Sequence, residues 1–290
     1  MSDPKEQYEF DHLWDYDNPA ATENQFRSFL PVASTKGKSY HVELLTQIAR
    51  TLGLQQRFDE AHKLLDEAEA LFAEDMQRPR IRYLLERGRV FNSSGSPDTA
   101  QPLFTAAWEI AQQAGEDFYA IDAAHMLAIV EQGQAALDWN LKALGLAESS
   151  NQPRAKNWLG SLYNNIGWAY HDMGQYERAL GIFEKALQFR EKEGKPKPIH
   201  IAGWCVARAL RSLGRVEEAL ERQQTLLTRA EAAQDELGYT YEEIGECLLL
   251  LNREAEAKPY FARAYGVLSR DSWLVRNESG RLERLRELGS

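Results

Sequence analysis

A pair of small residues 12 positions apart recurs along this 290-residue chain and limits the folds that it can adopt. Five pairs have matching flanking residues, whereas the third along the chain has the spacing without the usual glycine and tyrosine. The first member of each pair is called the anchor, and the five steps from residue 49 to residue 245 average about 39 residues. Because small residues let two helices approach closely, this spacing predicts a series of stacked helix pairs. The pairs are Ala49/Ala61, Gly88/Ala100, Ala124/Ala136, Gly167/Ala179, Ala207/Ala219 and Gly245/Ala257.

The segment over residues 161–187 contains the most complete of these repeats. Its characteristic residues are Gly167, Tyr170, Gly174, Tyr176, Ala179, Phe183 and Ala186. In this set the segment resembles the tetratricopeptide repeat (TPR) family, and residues 13–19 are similar to the leader of bacterial TPR proteins. The resemblance implies an all-α, right-handed TPR-like α-solenoid of about six helix pairs. It also implies that the first helix of each pair lines an inner, concave groove.

Turn and cap residues divide the chain into predicted parts. Gly95, Gly174, Gly214 and Asn252 are expected where the first helix of a pair turns into the second. Asn18, which is followed by a proline, is a good helix start. We therefore expect an acidic, aromatic tail over residues 1–17, an N-terminal capping helix over 18–38, one TPR solenoid over 39–270 and a C-terminal capping helix over 271–290.

The composition excludes several classes of function. The chain has 34 Lys and Arg against 44 Asp and Glu, a net charge of −10, which opposes general binding to nucleic acid or anionic lipid. No apolar run approaches the roughly 18 residues that a membrane helix needs. Cys205 and Cys247 are too few and too far apart for a disulfide framework. The expected location is the cytoplasm.

No catalytic or cofactor motif is recognised in the sequence. Gly37-Lys38-Ser39 is like the end of a phosphate-binding loop, but Val32 stands where that loop needs glycine. Asp122 and His125 share a helix face without further ligands at matched spacing, so no metal site is predicted. We therefore expect a protein that is not an enzyme and that has no cofactor.

The candidate binding residues are those that the TPR resemblance places on the inner face, chiefly two before and one after each anchor. Asparagine can bond to a peptide backbone, arginine can hold a carboxylate in a two-bond fork, and tryptophan can anchor an apolar side chain. The expected function is a protein-interaction scaffold or adaptor that binds a peptide or protein segment in the groove. The candidates are Arg50, Arg82, Arg89, His125, Asn164, Asn165, Trp168, His171, Trp204, Arg208 and Arg211.

The charge of the groove predicts the chemistry of the partner. Arginines dominate its N-terminal and central repeats, whereas Glu242, Glu243 and Glu246 make the last repeat acidic. A protein or peptide with an acidic or carboxylate-bearing segment is therefore expected over the arginine region. Asn164 stands where the best-known carboxylate-clamp TPR pattern has lysine, so chaperone tails are not implied.

Several alternatives remain open at this stage. The charged residues of the groove, such as Glu86 with Arg89, can equally form ion pairs on a solvated wall. The chain can also be a peptide-sensing regulator whose solenoid changes shape when it binds a small signal peptide. Self-association through exposed aromatic residues is a further hypothesis, with Trp139, Trp158 and Trp273 as candidates.

The tail over residues 1–17 has its own two interpretations. Acidic side chains alternate in it with Tyr8, Phe10, Trp14 and Tyr16. This is the chemistry predicted for a ligand of the groove, so the tail can act as an internal pseudo-ligand. Alternatively, its aromatic side chains cover the exposed core of the first repeat.

Overall fold

The computed structural model describes residues 8–232 and 237–290. Within these ranges the regular structure is helical, with a short 3₁₀ helix over Glu9–Leu13 and 17 α-helices. The chain divides into two compact units, unit 1 over residues 1–162 and unit 2 over residues 163–290. The sequence predicted a single solenoid domain over residues 39–270.

Unit 1 contains two helices ahead of three helix pairs and one short helix after them. The pairs are α3/α4, α5/α6 and α7/α8. The bounds are α1 Pro19–Arg27, α2 Leu30–Lys36, α3 Lys38–Leu54, α4 Phe58–Ala70, α5 Gln77–Ser93, α6 Pro97–Ala114, α7 Asp117–Val130, α8 Gly133–Ser149 and α9 Pro153–Lys156.

Unit 2 contains three further pairs and two terminal helices. Its first pair, α10/α11, begins with a helix that crosses the boundary between the units. The bounds are α10 Leu159–Asp172, α11 Tyr176–Glu193, α12 Pro196–Ser212, α13 Val216–Ala232, α14 Gly238–Leu250, α15 Glu254–Leu268, α16 Ser272–Asn277 and α17 Ser279–Leu288. The predicted all-α fold of six TPR-like helix pairs is thus confirmed.

The turn inside each pair follows the prediction. Gly95, Gly174, Gly214 and Asn252 all have positive φ angles, and each lies seven residues after its anchor. A left-handed residue at this place ends the first helix, and glycine adopts that conformation without steric cost. The third pair differs, because Glu131 has a φ of −88° at this place and the helix ends in an extended residue.

The anchors set the distance between the two helices of a pair. A Cβ atom on Gly167 would overlap the ring of Phe183, and one on Gly245 would lie 2.8 Å from Phe261 Cε1. Each phenylalanine follows its glycine anchor by 16 residues and is fully buried. Where the anchor is alanine, the residue 16 positions later is Leu65, Asn140 or Gln223. A phenylalanine ring is therefore combined with glycine, because the anchor must leave space for it.

The third pair keeps this spacing although its sequence is atypical. Ala124 is fully buried, and Asn140, 16 residues later, is 6% exposed. Ala136, the small residue 12 positions after the anchor, is only partly buried. The burial of Asn140, 16 residues after Ala124, supports the common register for α7/α8.

The terminal caps are each made of two helices where the sequence predicted one. Asn18 Oδ1 accepts a hydrogen bond from the Ala21 amide, 3.1 Å away, and so caps α1. Residues 28–29 then separate α1 from α2. At the other end Asp271 caps α16, and Glu278 lies between α16 and α17. α1 and α2 both contact α3 of the first pair, and α17 contacts α15 of the last pair.

No helix in the described part of the chain is both long enough and apolar enough to cross a membrane.

Candidate functional site

The first helices of unit 1 are joined by ion pairs between consecutive repeats. Arg50, one residue after its anchor, lies with Nη1 3.2 Å from Glu86 Oε1, two residues before the next anchor. Arg89 occupies the same position one repeat later and pairs with Asp122 in the same way. Arg89 also lies 2.6 Å from Glu86. The residue that follows one anchor is therefore paired with the residue two positions before the next anchor.

The mutual attraction within these buried pairs keeps their side chains charged. Desolvation by burial would raise the pKa of the Asp122 carboxyl, but the charges of Arg89 and Arg50 outweigh it. The pKa of Asp122 is consequently below its ordinary value, and that of the Arg89 guanidinium is above its own despite burial. Both groups are ionised at neutral pH.

Unit 2 repeats this arrangement with one reversal. Arg208 Nε lies 3.2 Å from Glu243 Oε1, and Arg211 makes two bonds of 2.7 and 2.9 Å to the same carboxylate. In the last repeat the acid comes first, because Glu246 pairs with Arg284 of the terminal helix α17. The inter-repeat ion pair is therefore a property of both units.

Every arginine predicted to grip a partner already contacts a carboxylate of the chain. The five are Arg50, Arg82, Arg89, Arg208 and Arg211. This corresponds to the alternative in which the charged residues form ion pairs along the helices. The positive charge counted from the sequence is thus largely compensated.

The N-terminal tail lies on these first helices in unit 1. The Arg82 guanidinium donates to both carboxylate oxygens of Asp11, at 3.1 and 2.6 Å, and to Glu43 at 2.9 Å. The side chains of Arg82 and Asp11 are only 4% and 3% exposed. Trp14 Nε1 donates to Gln47 Oε1 at 3.1 Å. The surface formed by Gln47, Arg50, Arg82, Glu86, Arg89 and Asp122 is named the unit 1 face.

The tail combines both interpretations of its sequence. Phe10 is fully buried against Phe26 and Tyr40, so this part covers the core of the first repeat. Trp14 and Tyr16 stack with ring centres 4.8 Å apart, and the Arg50 guanidinium lies 5.5 Å from each ring. Trp14 and Tyr16 therefore lie against Arg50, a residue that the sequence predicted in the groove. Asp3, Lys5 and Glu6 of the tail fall outside the described residues.

A cavity of about 320 Å³ opens beside the unit 1 face. Trp14 and Tyr16 of the tail contribute to its lining, together with Arg50 and residues from α5 and α7. The lining also includes Phe118, Tyr119, Arg154 and Trp158, none of which the sequence predicted in the groove, although Trp158 was a candidate for self-association. Arg154 belongs to α9 and Trp158 to the turn after it, outside the repeat positions, so the anchor spacing gave no signal for them.

His125 lies near this cavity. Its ring centre is 5.2 Å from that of Trp158. Burial lowers the pKa of His125 despite the attraction of Asp122. The imidazole is therefore mainly neutral at pH 7.

The predicted residues of unit 2 form an aromatic row. The ring centres of Trp168 and Trp204 are 6.0 Å apart, and Trp204 is followed by Tyr239 at 6.3 Å. His171 lies 5.0 Å from Trp168, and its Nε2 is 2.9 Å from Ser212 Oγ. Burial, with the positive charge of Arg208, lowers the pKa of His171. Trp168, Trp204 and Tyr239 are named the unit 2 row.

The two asparagines lie on α10, three and four residues before Trp168. Asn164 Oδ1 is 3.5 Å from Cys205 Sγ, whose thiol donates to it. Asn165 is the next residue of the same helix, half-buried, and makes contacts of its own. The structure therefore brings Asn164, Trp168, His171 and Trp204 together on the first helices of unit 2.

The described residues contain neither a cluster of metal-ligating side chains nor a cysteine with a lowered pKa. No group of three or more His, Cys, Asp or Glu side chains there converges as metal ligands do. Burial raises the pKa of the Cys205 and Cys247 thiols to about 12, which leaves both protonated at neutral pH.

Comparison with known proteins supports the fold. The tetratricopeptide repeat family profile matches residues 159–193. A search of curated proteins finds no match to the sequence. The solved structure of apo RapI is similar with a TM-score of 0.72 and 12% identity, and the match covers 89% of this chain and 73% of RapI.

Two further structures are similar over most of their length. The apo quorum sensor NprR from B. thuringiensis has a TM-score of 0.59 and 16% identity, with 97% of this chain and 85% of NprR covered. BtubC (BKLC) from P. vanneervenii has a TM-score of 0.61 and 17% identity, with 79% and 93% covered. At these identities the likeness establishes the fold. The chain is thus a TPR-like helical-repeat protein with a tetratricopeptide repeat over residues 159–193.

Proposed function

We propose that the chain is a non-catalytic interaction scaffold whose first helices bind a peptide or an extended segment of a partner protein. The observation that carries this proposal is the tail on the unit 1 face. There a non-repeat segment of the chain places Asp11 on Arg82 and Trp14 on Gln47. A surface that holds an acidic, aromatic segment of its own chain has the chemistry to hold a similar segment of another.

The partner of the unit 1 face carries a carboxylate and an aromatic side chain. Arg82 supplies a two-bond fork for the carboxylate, and Arg50 supplies a cation above two rings. Because five arginines already have intrachain carboxylates, a partner must compete for them rather than neutralise free charge. Affinity should consequently fall as ionic strength rises.

The unit 2 row has the chemistry to bind the apolar side chains of a ligand. Trp204 and Tyr239 offer ring surfaces, and Tyr239 is 43% exposed. Asn165, three residues before Trp168 on α10, carries an amide that can donate and accept. This combination fits an extended segment with apolar side chains.

The test is a selection of binders from a random peptide library on the full chain, followed by affinity measurement of the selected peptides. Arg50→Gln alters the unit 1 face, and Asn165→Ala with Trp204→Ala alters the unit 2 row. Lys185→Ala and Arg222→Gln are controls on the exposed sides of the second helices α11 and α13. We expect at least a tenfold loss for one face variant, about 1.4 kcal/mol, and none for the controls.

Circular dichroism must show each variant folded. Selected peptides that bind all variants equally would contradict binding on the first helices. A library that yields no binder would contradict the scaffold itself.

The second candidate is a peptide-sensing regulator, supported by the likeness to the quorum sensor NprR. Such a protein changes shape on binding, because the ligand has a higher affinity for one conformation. Small-angle scattering with and without a selected peptide separates the candidates. A change in radius of gyration on saturation favours the sensor, and an unchanged radius favours the scaffold.

An acidic chain with two free, buried cysteines fits a cytoplasmic site of action. Self-association would use Trp273, which is 55% exposed, whereas Trp139 and Trp158 are partly buried. Light scattering over a concentration series, with Trp273→Ala as the comparison, tests this: a constant mass for both chains excludes self-association.

A further inference from the structure

We propose that the unit 1 cavity is a carboxylate-binding site built on Arg154 and Trp158, the two residues that lie outside the repeat pattern. This rests on the proposed function, since it names the group of the peptide ligand that unit 1 reads. The carboxylate belongs to an acidic side chain or to a free C-terminus.

Arg154 is held by aromatic rings rather than by a carboxylate. Its guanidinium lies 3.5 Å from the ring centre of Phe118 and 5.3 Å from that of Tyr119. Its one hydrogen bond within the described ranges is to Tyr119 Oη at 3.4 Å. A guanidinium held over a ring is restrained in orientation, and the N–H groups in its own plane remain available to a ligand.

The arginines that line the cavity have more donors than intrachain acceptors. A guanidinium has five N–H donors. Arg154 uses one of them on Tyr119, and Arg50 uses one on Glu86 at 3.2 Å. A ligand that supplies two acceptor oxygens would satisfy part of this surplus, and a carboxylate does so in the geometry of the guanidinium.

Trp158 adds an independent observation. Its Nε1 is buried and has no hydrogen-bond partner among the described residues. A buried indole N–H without a partner is destabilising, so it marks a place where an acceptor is needed. Arg82 Nε and Glu86 Oε2, on other residues of the lining, are also without a partner in that part of the chain. Two of these three atoms are donors.

The acidic residues of the lining do not oppose an anion as strongly as their number suggests. Asp11 accepts from Arg82, and Asp122 accepts from Arg89. Glu86 accepts from Arg50 and Arg89. Their charges are thus already compensated by neighbouring arginines, whereas Arg154 acts on Asp11 through its charge alone and forms no direct ion pair among the described residues.

The size and the walls of the cavity define the rest of the ligand. About 320 Å³ holds one large side chain with its adjoining backbone, at the lower end of ordinary ligand sites. Rings of Trp14, Tyr16, Phe118 and Tyr119 line it. The ligand group is therefore a carboxylate within one residue of an aromatic or large apolar side chain.

The test uses two small probes that differ only at this group, N-acetyl-tryptophan as the free acid and N-acetyl-tryptophanamide. Binding is followed on the full chain by the indole N–H resonance of Trp158, assigned with Trp158→Phe. We expect a saturable shift with the acid and at least tenfold weaker binding of the amide. Equal affinity of the two probes, or no shift with the acid, would overturn the proposal.

Variants locate the site. Arg154→Gln should abolish the preference for the acid, and Trp158→Phe, measured by calorimetry because it lacks the indole N–H, should weaken binding of the acid. Arg178→Gln is the matched control, because Arg178 also lies over a ring, 5.7 Å from that of Tyr170, but in unit 2. A preference that survives Arg154→Gln, or that Arg178→Gln removes, contradicts the site.

The outcomes are separable from those of the peptide selection. Selected peptides that bind the Arg154→Gln variant unchanged would leave the scaffold function intact and remove this site. Acid-specific binding at Trp158 without any selected peptide would retain the site and remove the scaffold function.

Discussion

The unit 1 face and the unit 2 row both lie largely on the first helices of the helix pairs and differ in chemistry. In unit 1 the residues after the anchors of the first two pairs are Arg50 and Arg89, and the tail buries Asp11 against this surface. In unit 2 the corresponding residue of the first pair is Trp168, which begins an aromatic row. The same repeat backbone thus carries a charged residue after the anchor of α5, Arg89, and an aromatic one after the anchor of α10, Trp168.

The largest expected effect comes from breaking the contact between the tail and unit 1. Asp11→Ala leaves the buried Arg82 with Glu43 alone and should destabilise the fold by about 3–5 kcal/mol. Chemical denaturation gives the free energy of unfolding, and segment-resolved hydrogen exchange gives its location. We expect faster exchange in α3 and α5 and unchanged exchange in α12 and α14; uniform acceleration would contradict a local role.

The next effect concerns the packing beneath the unit 2 row. Gly167→Ala places a methyl group in the ring of Phe183 and should cost about 1–3 kcal/mol. Gly181→Ala is the control, because it lies in α11 with nothing within 4 Å of its Cβ position, and it should stabilise by about 0.5–1 kcal/mol. Adding Phe183→Leu should restore part of the loss, as in the pair of Ala49 and Leu65. A neutral Gly167→Ala variant would contradict the close approach.

A smaller effect, on the pH dependence of stability, is expected from His171 beside the unit 2 row. The pKa of His171 in the folded chain is below the ordinary value of 6.5, through burial and Arg208. Between these two values the unfolded chain binds more protons, so stability is lost as pH falls from 6.5 through the folded pKa. An NMR titration of the His171 ring should give a midpoint below 6.5, which Arg208→Gln moves upward. A midpoint at or above 6.5 would refute the assignment.

The smallest effect is expected away from both surfaces. Arg215 and Glu218 form an exposed pair at 2.6 Å, and their side chains are 48% and 51% exposed. Glu218→Ala should therefore change the free energy of unfolding far less than Asp11→Ala does, because water screens an exposed pair. A loss as large as that of Asp11→Ala would mean that distance rather than burial sets the strength of these pairs.

The sequence predicts the helix pairs well because the signals are local. An anchor, a small residue 12 positions later and a left-handed turn residue such as Gly174 lie within one repeat, and each acts through the same pair of helices. The third pair is harder, because Glu131 replaces the turn glycine and Ala136 is only partly buried. Its register becomes clear from the burial of Asn140.

The sites are less predictable because their contacts connect distant parts of the chain. Asp11 and Arg82 are 71 positions apart, and Arg50 meets its carboxylate 36 positions away. Inner-face positions could be projected from the repeat, but not which of their charges pair with each other. Neither Arg154 nor Trp158 could be assigned to the inner face from the repeat. The short helix α9 and the turn after it have no equivalent in the other repeats.

The ion pair between consecutive repeats determines which repeats can be exchanged. The pair α5/α6 carries Glu86 before its anchor and Arg89 after it, so a duplicated copy would present a matching charge to the original. The pair α10/α11 has Asn165 and Trp168 at these positions and would interrupt the series wherever it was inserted. Lengthening this protein by gene duplication is therefore favoured at one repeat and disfavoured at another, although their backbones follow the same plan.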